Sequence, residues 1–307
     1  MRLGFKGVRK WGATVVAGSA LVVAAPLATP AHAAGPSGVT STNAYLFNAA
    51  DGAPIWGVNA DTKRQLASTT KIMTAAVVTQ KAGIDLNKQV TVLQVYRDYV
   101  AAKGASTADL KTGDKVTVRQ LLYALMLPSG CDAAYALADI YGTGTTRRAR
   151  VANFISQMNA KAASLGMKNT HFDSFDGNST TGQNYSTPRD MGRLARSAMK
   201  NSDFAAAVKT KSISTKTPSG NRTYTWYNTN KLLGSYTGAV GLKTGTNTPA
   251  GPCLVFAATR NGRTVIGITL NDSYRFTNAA KMLDYAYGTN TATTMKLQPL
   301  PARAQQD

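Results

Sequence analysis

Ala67-Ser68-Thr69-Thr70-Lys71-Ile72-Met73-Thr74 is the stretch on which the reading of this 307-residue chain turns. Ile72, Ala75, Ala76 and Val77 follow a polar turn at helical spacing, so Ser68 and Lys71 stand at the mouth of a helix. Side chains at i and i+3 share a face, which lets the Lys71 amine reach back over the Ser68 hydroxyl. A hydroxyl is a poor nucleophile until a neighbouring base takes its proton, and a desolvated lysine can be that base. The Ser68 N–H, in the first turn, can also donate to an oxyanion. The pattern is weak by itself. Ser197 and Lys200 repeat it where it reads as an exposed helix face.

Scarcity of other catalytic groups gives the pair weight. The chain has two histidines, and all 15 acidic residues are aspartate. His32 falls in a leader, which leaves His171 as the single imidazole and excludes a multi-histidine metal site; a Ser-His-Asp triad would depend on that one residue. His171, in Thr170-His171-Phe172-Asp173, reads as structural. No metal or organic cofactor is expected. The leader itself has a basic start (Arg2, Lys6, Arg9, Lys10), an apolar run from Trp11 to Leu27 and a small-x-small site at Ala31-His32-Ala33. Residues 1–33 are therefore expected to be a cleaved signal peptide, with no later segment apolar enough to span a bilayer and no stable membrane anchor. Removing them lowers the formal charge from +20 to about +16. A basic, exported protein points to a polyanionic neighbourhood such as a cell wall. Nucleic acid is not an expected partner, because export removes the opportunity and no recognition motif interleaves the charge.

Working outward, Ala44 to Asn48, the turn Ala50–Pro54 and Ile55 to Val58 read as a hairpin. From Asp85 to about Phe204 the pattern is mainly helical, after a short β-prone passage at Gln89 to Leu93. Thr117 with Gln120 makes a capping box, Pro128 ends that helix, and further helices are expected at Asp132–Gly142 and Arg147–Leu165. Thr187-Pro188 opens another, with proline at the first helical position. Strand signals return after Lys209: Gly238–Thr246, Cys253–Thr259 and Thr264–Leu270, the last two joined by the hairpin turn Asn261-Gly262. Phe276 to Tyr287 closes the domain as a helix, and 289–307, rich in Thr, Pro, Gln and Ala, reads as a disordered tail. The fold class is α+β: one antiparallel sheet flanked by helices, a mainly helical subdomain inserted at about 85–204, and a catalytic domain over 34–288. The crevice between sheet and insert is the natural ligand site.

Two further motifs fall at that crevice. Pro128-Ser129-Gly130-Cys131 lies between two helices. Val240-Gly241-Leu242-Lys243-Thr244-Gly245-Thr246 is a strand whose glycines permit close approach of a ligand backbone, with cation and hydroxyls suited to a carboxylate. The Thr246 N–H offers a second oxyanion donor. Together, Ser-x-x-Lys, Ser-x-Cys and Lys-Thr-Gly resemble the signature of the penicillin-binding serine DD-peptidases. The segments 67–74, 123–134, 185–196 and 228–233 are similar to those of the low-molecular-mass D-alanyl-D-alanine carboxypeptidases, and the resemblance covers roughly residues 43–287. Lys111-Thr112-Gly113 and Ser219-Gly220-Asn221 spell the later motifs too. Their settings, a turn before a helix and a hairpin tip, set them aside.

The resemblance implies a β-lactamase/penicillin-binding transpeptidase-like fold and an acyl-enzyme on Ser68. Lys71 would be the proton acceptor and Ser129 the proton relay, with Cys131, Lys243, Thr244, Gly245 and Thr246 around the substrate. It implies peptidoglycan stem peptides ending in D-Ala-D-Ala and β-lactam antibiotics as partners, acted on by a secreted, cell-wall-associated enzyme, expected to be a monomer. Cys131 stands where the family usually has asparagine; a secreted DD-transpeptidase branch looks similar, with Ser-Gly-Cys. The amide would orient the substrate through strong donors and acceptors, which a thiol lacks. Cys253, in an apolar run, reads as a buried free thiol, so no disulfide to Cys131 is expected. Two alternatives stay open: a catalytically weak penicillin- or wall-binding protein, and a β-lactam hydrolase, the class A kind of which needs the glutamate this chain lacks.

Overall fold

The computed structural model describes residues 1–4, 7 and 35–305. The expected leader and its cleavage point therefore lie almost wholly outside the described residues. Residues from Gly35 onward form one compact unit.

In chain order the strands are β1 (Ala44–Asn48), β2 (Pro54–Val58), β3 (Arg64–Gln65), β4 (Gln89–Thr91), β5 (Lys115–Thr117), β6 (Tyr185–Ser186), β7 (Ser212–Lys216), β8 (Thr223–Tyr227), β9 (Ala239–Gly245), β10 (Cys253–Arg260) and β11 (Arg263–Thr269). The helices are α1 (Lys71–Thr79), α2 (Gln94–Lys103), α3 (Val118–Met126), α4 (Cys131–Tyr141), α5 (Arg147–Ser164), α6 (Pro188–Ala198), α7 (Ser202–Lys209), α8 (Arg275–Tyr287) and α9 (Thr291–Thr294).

A five-stranded antiparallel sheet runs β2-β1-β11-β10-β9. Strands from both ends of the sequence thus share one sheet, with β11 pairing β1 from Ala44↔Thr269 to Asn48↔Val265. The Asn261-Gly262 turn fixes the β10–β11 register at Arg260↔Arg263, and both turn residues have positive φ, 49° and 73°. Asparagine and glycine tolerate that conformation, which matches the twist of the strands. Sheet residues alternate between two cores. Leu46, Leu254 and Phe256 meet Met282 and Leu283 of α8 on one face; Phe47, Val255 and Ile268 meet Ile72 and Met191 on the other.

Local signals place the helices as expected. Thr117 and Gln120 close a reciprocal capping box on α3, and Thr187 caps α6 with Pro188 in its first turn. α6, within the insert by sequence, lies against β1 in space. A Cβ on Gly192 would stand 2.9 Å from the Phe47 ring, so its glycine lets the helix sit flat on the strand.

Two elements depart from the sequence reading. The β7–β8 hairpin pairs only with itself; it packs on the insert, with Trp226 donating to the Ala108 carbonyl at 2.8 Å and Tyr224 to Asp114 at 2.6 Å. The hairpin tip at Ser219 is legible in the sequence, but not the neighbours of its strands. Residues 289–305, read as disordered, carry α9 and bonds to the body: Asp284 accepts from Thr289 at 2.6 Å and from the Ala292 N–H at 2.6 Å. Arg260 also donates to Thr289 and Thr291. Satisfied backbone groups hold the segment where composition alone promised no core.

Candidate active site

The approach to Ser68 is fastened before the helix starts. β3 pairs with β6 at Arg64↔Ser186, and Ala67–Thr70 form a single 3-10 turn that runs into α1. Ala67 has φ +45°, a strained conformation for a residue with a Cβ. Contacts from two sides hold this turn. A Cβ at Gly177 would lie 1.9 Å from the Ala67 carbonyl oxygen, and one at Gly245 would lie 2.8 Å from the N atoms of both Ser68 and Thr69. Glycine at these two places is what lets the 176–178 loop and the edge strand β9 close on the nucleophile's backbone.

Lys71 is fully buried. Its Nζ lies 2.8 Å from Ser68 Oγ and 3.1 Å from the Asp176 carbonyl oxygen. The same loop is locked by its own side chains: Asp176 accepts from Tyr99 OH at 2.8 Å and from Asn178 Nδ2 at 2.9 Å. Burial, followed by the Asp176 carboxylate, holds the Tyr99 phenol protonated far above its usual range.

The Ser129-Gly130-Cys131 turn links α3 to α4. Ser129 adopts φ +65° and is buried, yet its Oγ finds no hydrogen-bond partner among the described residues. Orphaned buried hydroxyls are rare and call for an explanation. Ser106 braces the turn by donating from Oγ to the Ser129 carbonyl at 2.6 Å and accepting the Cys131 N–H at 2.9 Å. Cys131 Sγ sits 3.5 Å from Ser106 Oγ and 3.5 Å from Asn178 Nδ2. Burial pushes the thiol up to about 11. It is therefore a neutral thiol at ordinary pH. Both cysteines are free.

β9 forms the third wall. Lys243 and Thr244 are buried and Thr246 is exposed. Lys243 Nζ donates to the Thr244 carbonyl at 3.0 Å. Thr244 Oγ1 lies 2.5 Å from Thr229 Oγ1, while the Thr229 N–H donates to Leu127 at the end of α3 at 3.2 Å. Thr229 thus ties the third motif to the second. Arg275, at the start of α8, fastens the end of β9: one of its nitrogens donates to the Gly245 carbonyl at 3.0 Å and to Thr246 Oγ1 at 2.9 Å. It also adds a positive charge beside that threonine.

The structure thus brings Ser68, Lys71, Cys131 and the β9 residues together. It leaves the decoys apart: Ser219 hydrogen-bonds Asn221 within the β7–β8 tip, and Lys111-Thr112-Gly113 lies in the turn that leads into β5. His171 bridges to Tyr185 through the backbone and to the Gln183 carbonyl through its ring, a structural part. Sequence reasoning missed Asp176, Asn178, Ser106, Thr229 and Arg275 as parts of the site. Asp176-Gly177-Asn178 carries a turn signal, but nothing local says that the turn's carbonyl meets Lys71.

A helix-mouth serine in contact with a buried lysine, on an α+β scaffold, defines a serine acyl-transfer enzyme that uses lysine where others use histidine. The family model described as D-alanyl-D-alanine carboxypeptidase matches residues 29–274, and the chain belongs to that family, Peptidase_S11. The chain is 51% identical over 288 residues to the D-alanyl-D-alanine carboxypeptidase of Streptomyces sp. strain K15, spanning 91% of this chain and 99% of that one. The crystal structure of the Streptomyces K15 DD-transpeptidase superposes with a TM-score of 0.80 at 53% identity, covering 83% of this chain and 100% of that chain. The Escherichia coli strain K12 D-alanyl-D-alanine carboxypeptidase DacC is 34% identical over 79% of this chain, which spans 60% of that relative's length.

Proposed function

We propose that this serine DD-peptidase acylates itself on Ser68 with the penultimate residue of a stem peptide ending in D-Ala-D-Ala, and that β-lactams trap the same intermediate. Ser68 Oγ attacks the carbonyl carbon while its proton passes to Lys71 Nζ, and the N–H groups of Ser68 and Thr246 receive the oxyanion. Lys243, Thr244 and Thr246 hold the terminal carboxylate, with Arg275 behind the last of these. As the tetrahedral species collapses, the C–N bond breaks and Ser129 delivers a proton to the leaving D-alanine amine. Water then releases the acyl group in the carboxypeptidase reaction, or the amine of a second stem peptide does in the transpeptidase reaction. In this reading the enzyme is exported and works in the cell wall, as its leader pattern and basic charge suggest, and acts as a monomer.

The observation that carries the reading is the 2.8 Å separation of Lys71 Nζ and Ser68 Oγ, a hydrogen-bond distance from nucleophile to base. Intact-mass spectrometry after benzylpenicillin treatment tests it. An adduct is expected on the native chain and on Ser197→Ala, and none on Ser68→Ala; labelling that survives Ser68→Ala would sink the assignment. Adding a glycine acceptor to a D-Ala-D-Ala peptide assay separates hydrolysis from transfer.

A further inference from the structure

The second Ser-x-x-Lys, at Ser197 and Lys200, belongs to a different feature. Arg189, Arg193, Arg196 and Lys200 recur at spacings of four, three and four residues, which places them along one face of α6 and its last turn. They line a hollow of about 560 Å³ floored by the buried Tyr45 and Phe47. A second hollow, of about 570 Å³, shares Arg196 and Lys200 and adds Arg263. The two make a basic run at the β1 side of the sheet. β9 and the Ser68 turn lie at the opposite edge, three strand spacings or roughly 14 Å away.

Carboxylates, including the exposed Asp51 that lines the first hollow, offset only part of this charge. Arg189 is held by Asp61 at 2.8 and 3.0 Å, and Arg193 by Asp190. Arg196 is fixed instead by the carbonyls of Ala49 at 2.8 Å and Ala50 at 2.5 Å, so its charge is oriented without being neutralised. Arg263 likewise donates to the Ala286 carbonyl. Lys200 is exposed and has no ion-pair partner among the described residues.

We propose that this run binds a linear polyol-phosphate chain. The exposed Lys200 ammonium, with the charge of Arg196 held by neutral carbonyls beside it, suits the oxygens of a phosphodiester. Several cations in line suit a repeating anion better than a single small one. The aromatic rings beneath are buried, so the groove offers no platform on which nucleobases could stack, which argues against a single-stranded nucleic acid. No large apolar side chain is exposed at its rim to suit a protein or lipid partner. Bound this way, the enzyme would be retained by an anionic polymer through a face that leaves the serine site open.

Affinity for poly(glycerol phosphate) is measured against salt for the full-length protein. Arg193→Gln with Lys200→Gln is compared with the equal-charge control Lys103→Gln with Lys115→Gln. The groove pair is expected to bind at least tenfold more weakly than the control pair. Its slope of log affinity against log salt should be shallower by about one to one and a half units, at roughly 0.7 for each phosphate no longer neutralised. Lys200→Glu alone, at an exposed position, should weaken binding in the same direction and keeps the test readable if the double variant misfolds. Penicillin acylation should be unchanged in all of them. Equal losses in groove and control pairs would reduce the effect to net charge and overturn the proposal. So would tighter binding of a single-stranded oligonucleotide with the same number of phosphates, or no measurable binding of the polymer.

Discussion

Replacing Gly245 by alanine adds one methyl group where the edge strand β9 meets the nucleophile's backbone. The new Cβ would stand 2.8 Å from the N atoms of Ser68 and Thr69 and 3.2 Å from the Leu66 carbonyl oxygen. Ordinary contact begins at 3.4 Å, so β9 and the Ser68 turn must part by about 0.6 Å. All three neighbours are backbone atoms, and β9 is hydrogen-bonded to β10 from Gly245↔Cys253 back to Ala239↔Ala258. Neither side can yield by a rotamer change. Overpacking of this kind costs about 1–3 kcal/mol, which at about 2–4 °C per kcal/mol lowers Tm by several degrees and leaves the protein folded at 25 °C. The separation falls between the nucleophile and the strand proposed to hold the substrate. A misplacement approaching 1 Å there slows acylation by up to about 100-fold, and we expect a loss of about 10- to 100-fold. Stopped-flow acylation by nitrocefin, read beside a thermal melt, checks both halves. An acylation rate constant within twofold of the native value in a folded Gly245→Ala protein would refute the reasoning, because it would mean that β9 and Ser68 need not be in register.

The other tests address single groups. Ser129→Ala should lower turnover of a D-Ala-D-Ala peptide by at least tenfold while leaving Tm within about 2 °C, since its Oγ has no partner among the described residues that would be orphaned; Ser219→Ala should change neither. Lys243→Ala should weaken substrates that bear the terminal carboxylate far more than their amides, and equal losses on both in steady-state kinetics would remove Lys243 from carboxylate binding. Cys131, raised by burial to about 11 from an ordinary 9.0, should hold about 100-fold less thiolate near pH 8 than the unfolded chain. Its alkylation by iodoacetamide should be slower in the native protein by at least that factor. The sign for stability follows: only the unfolded thiol ionises between pH 9 and 11, so this group's contribution is constant below about 9 and declines through that window. A native alkylation rate equal to that in urea would place the thiol at the surface.

Much of the machinery is legible in the linear chain, because the rules that set it are local. The capping box at Thr117 and Gln120, the proline opening α6 and the Asn261-Gly262 hairpin each depend on a few adjacent residues. The pairing of Ser68 with Lys71 needs only helical spacing. With histidine scarce and glutamate absent, composition added weight to lysine as the base.

What only the tertiary structure decided are the contacts between segments distant in sequence, whose meeting no local pattern encodes. Lys71 finds the Asp176 carbonyl 105 residues away, Thr229 bridges Leu127 and Thr244, and Arg275 holds the end of β9. The hairpin tip at Ser219 does not say that its strands, β7 and β8, leave the main sheet. Residues 289–305 are kept in place by Asp284 and Arg260, which composition could not weigh. The Ser197 and Lys200 repeat, identical in pattern to the first, faces a basic groove because α6 lies on β1 with its charged stripe outward. Sequence sets side-chain spacing along an element; burial against a partner element decides what that spacing is for.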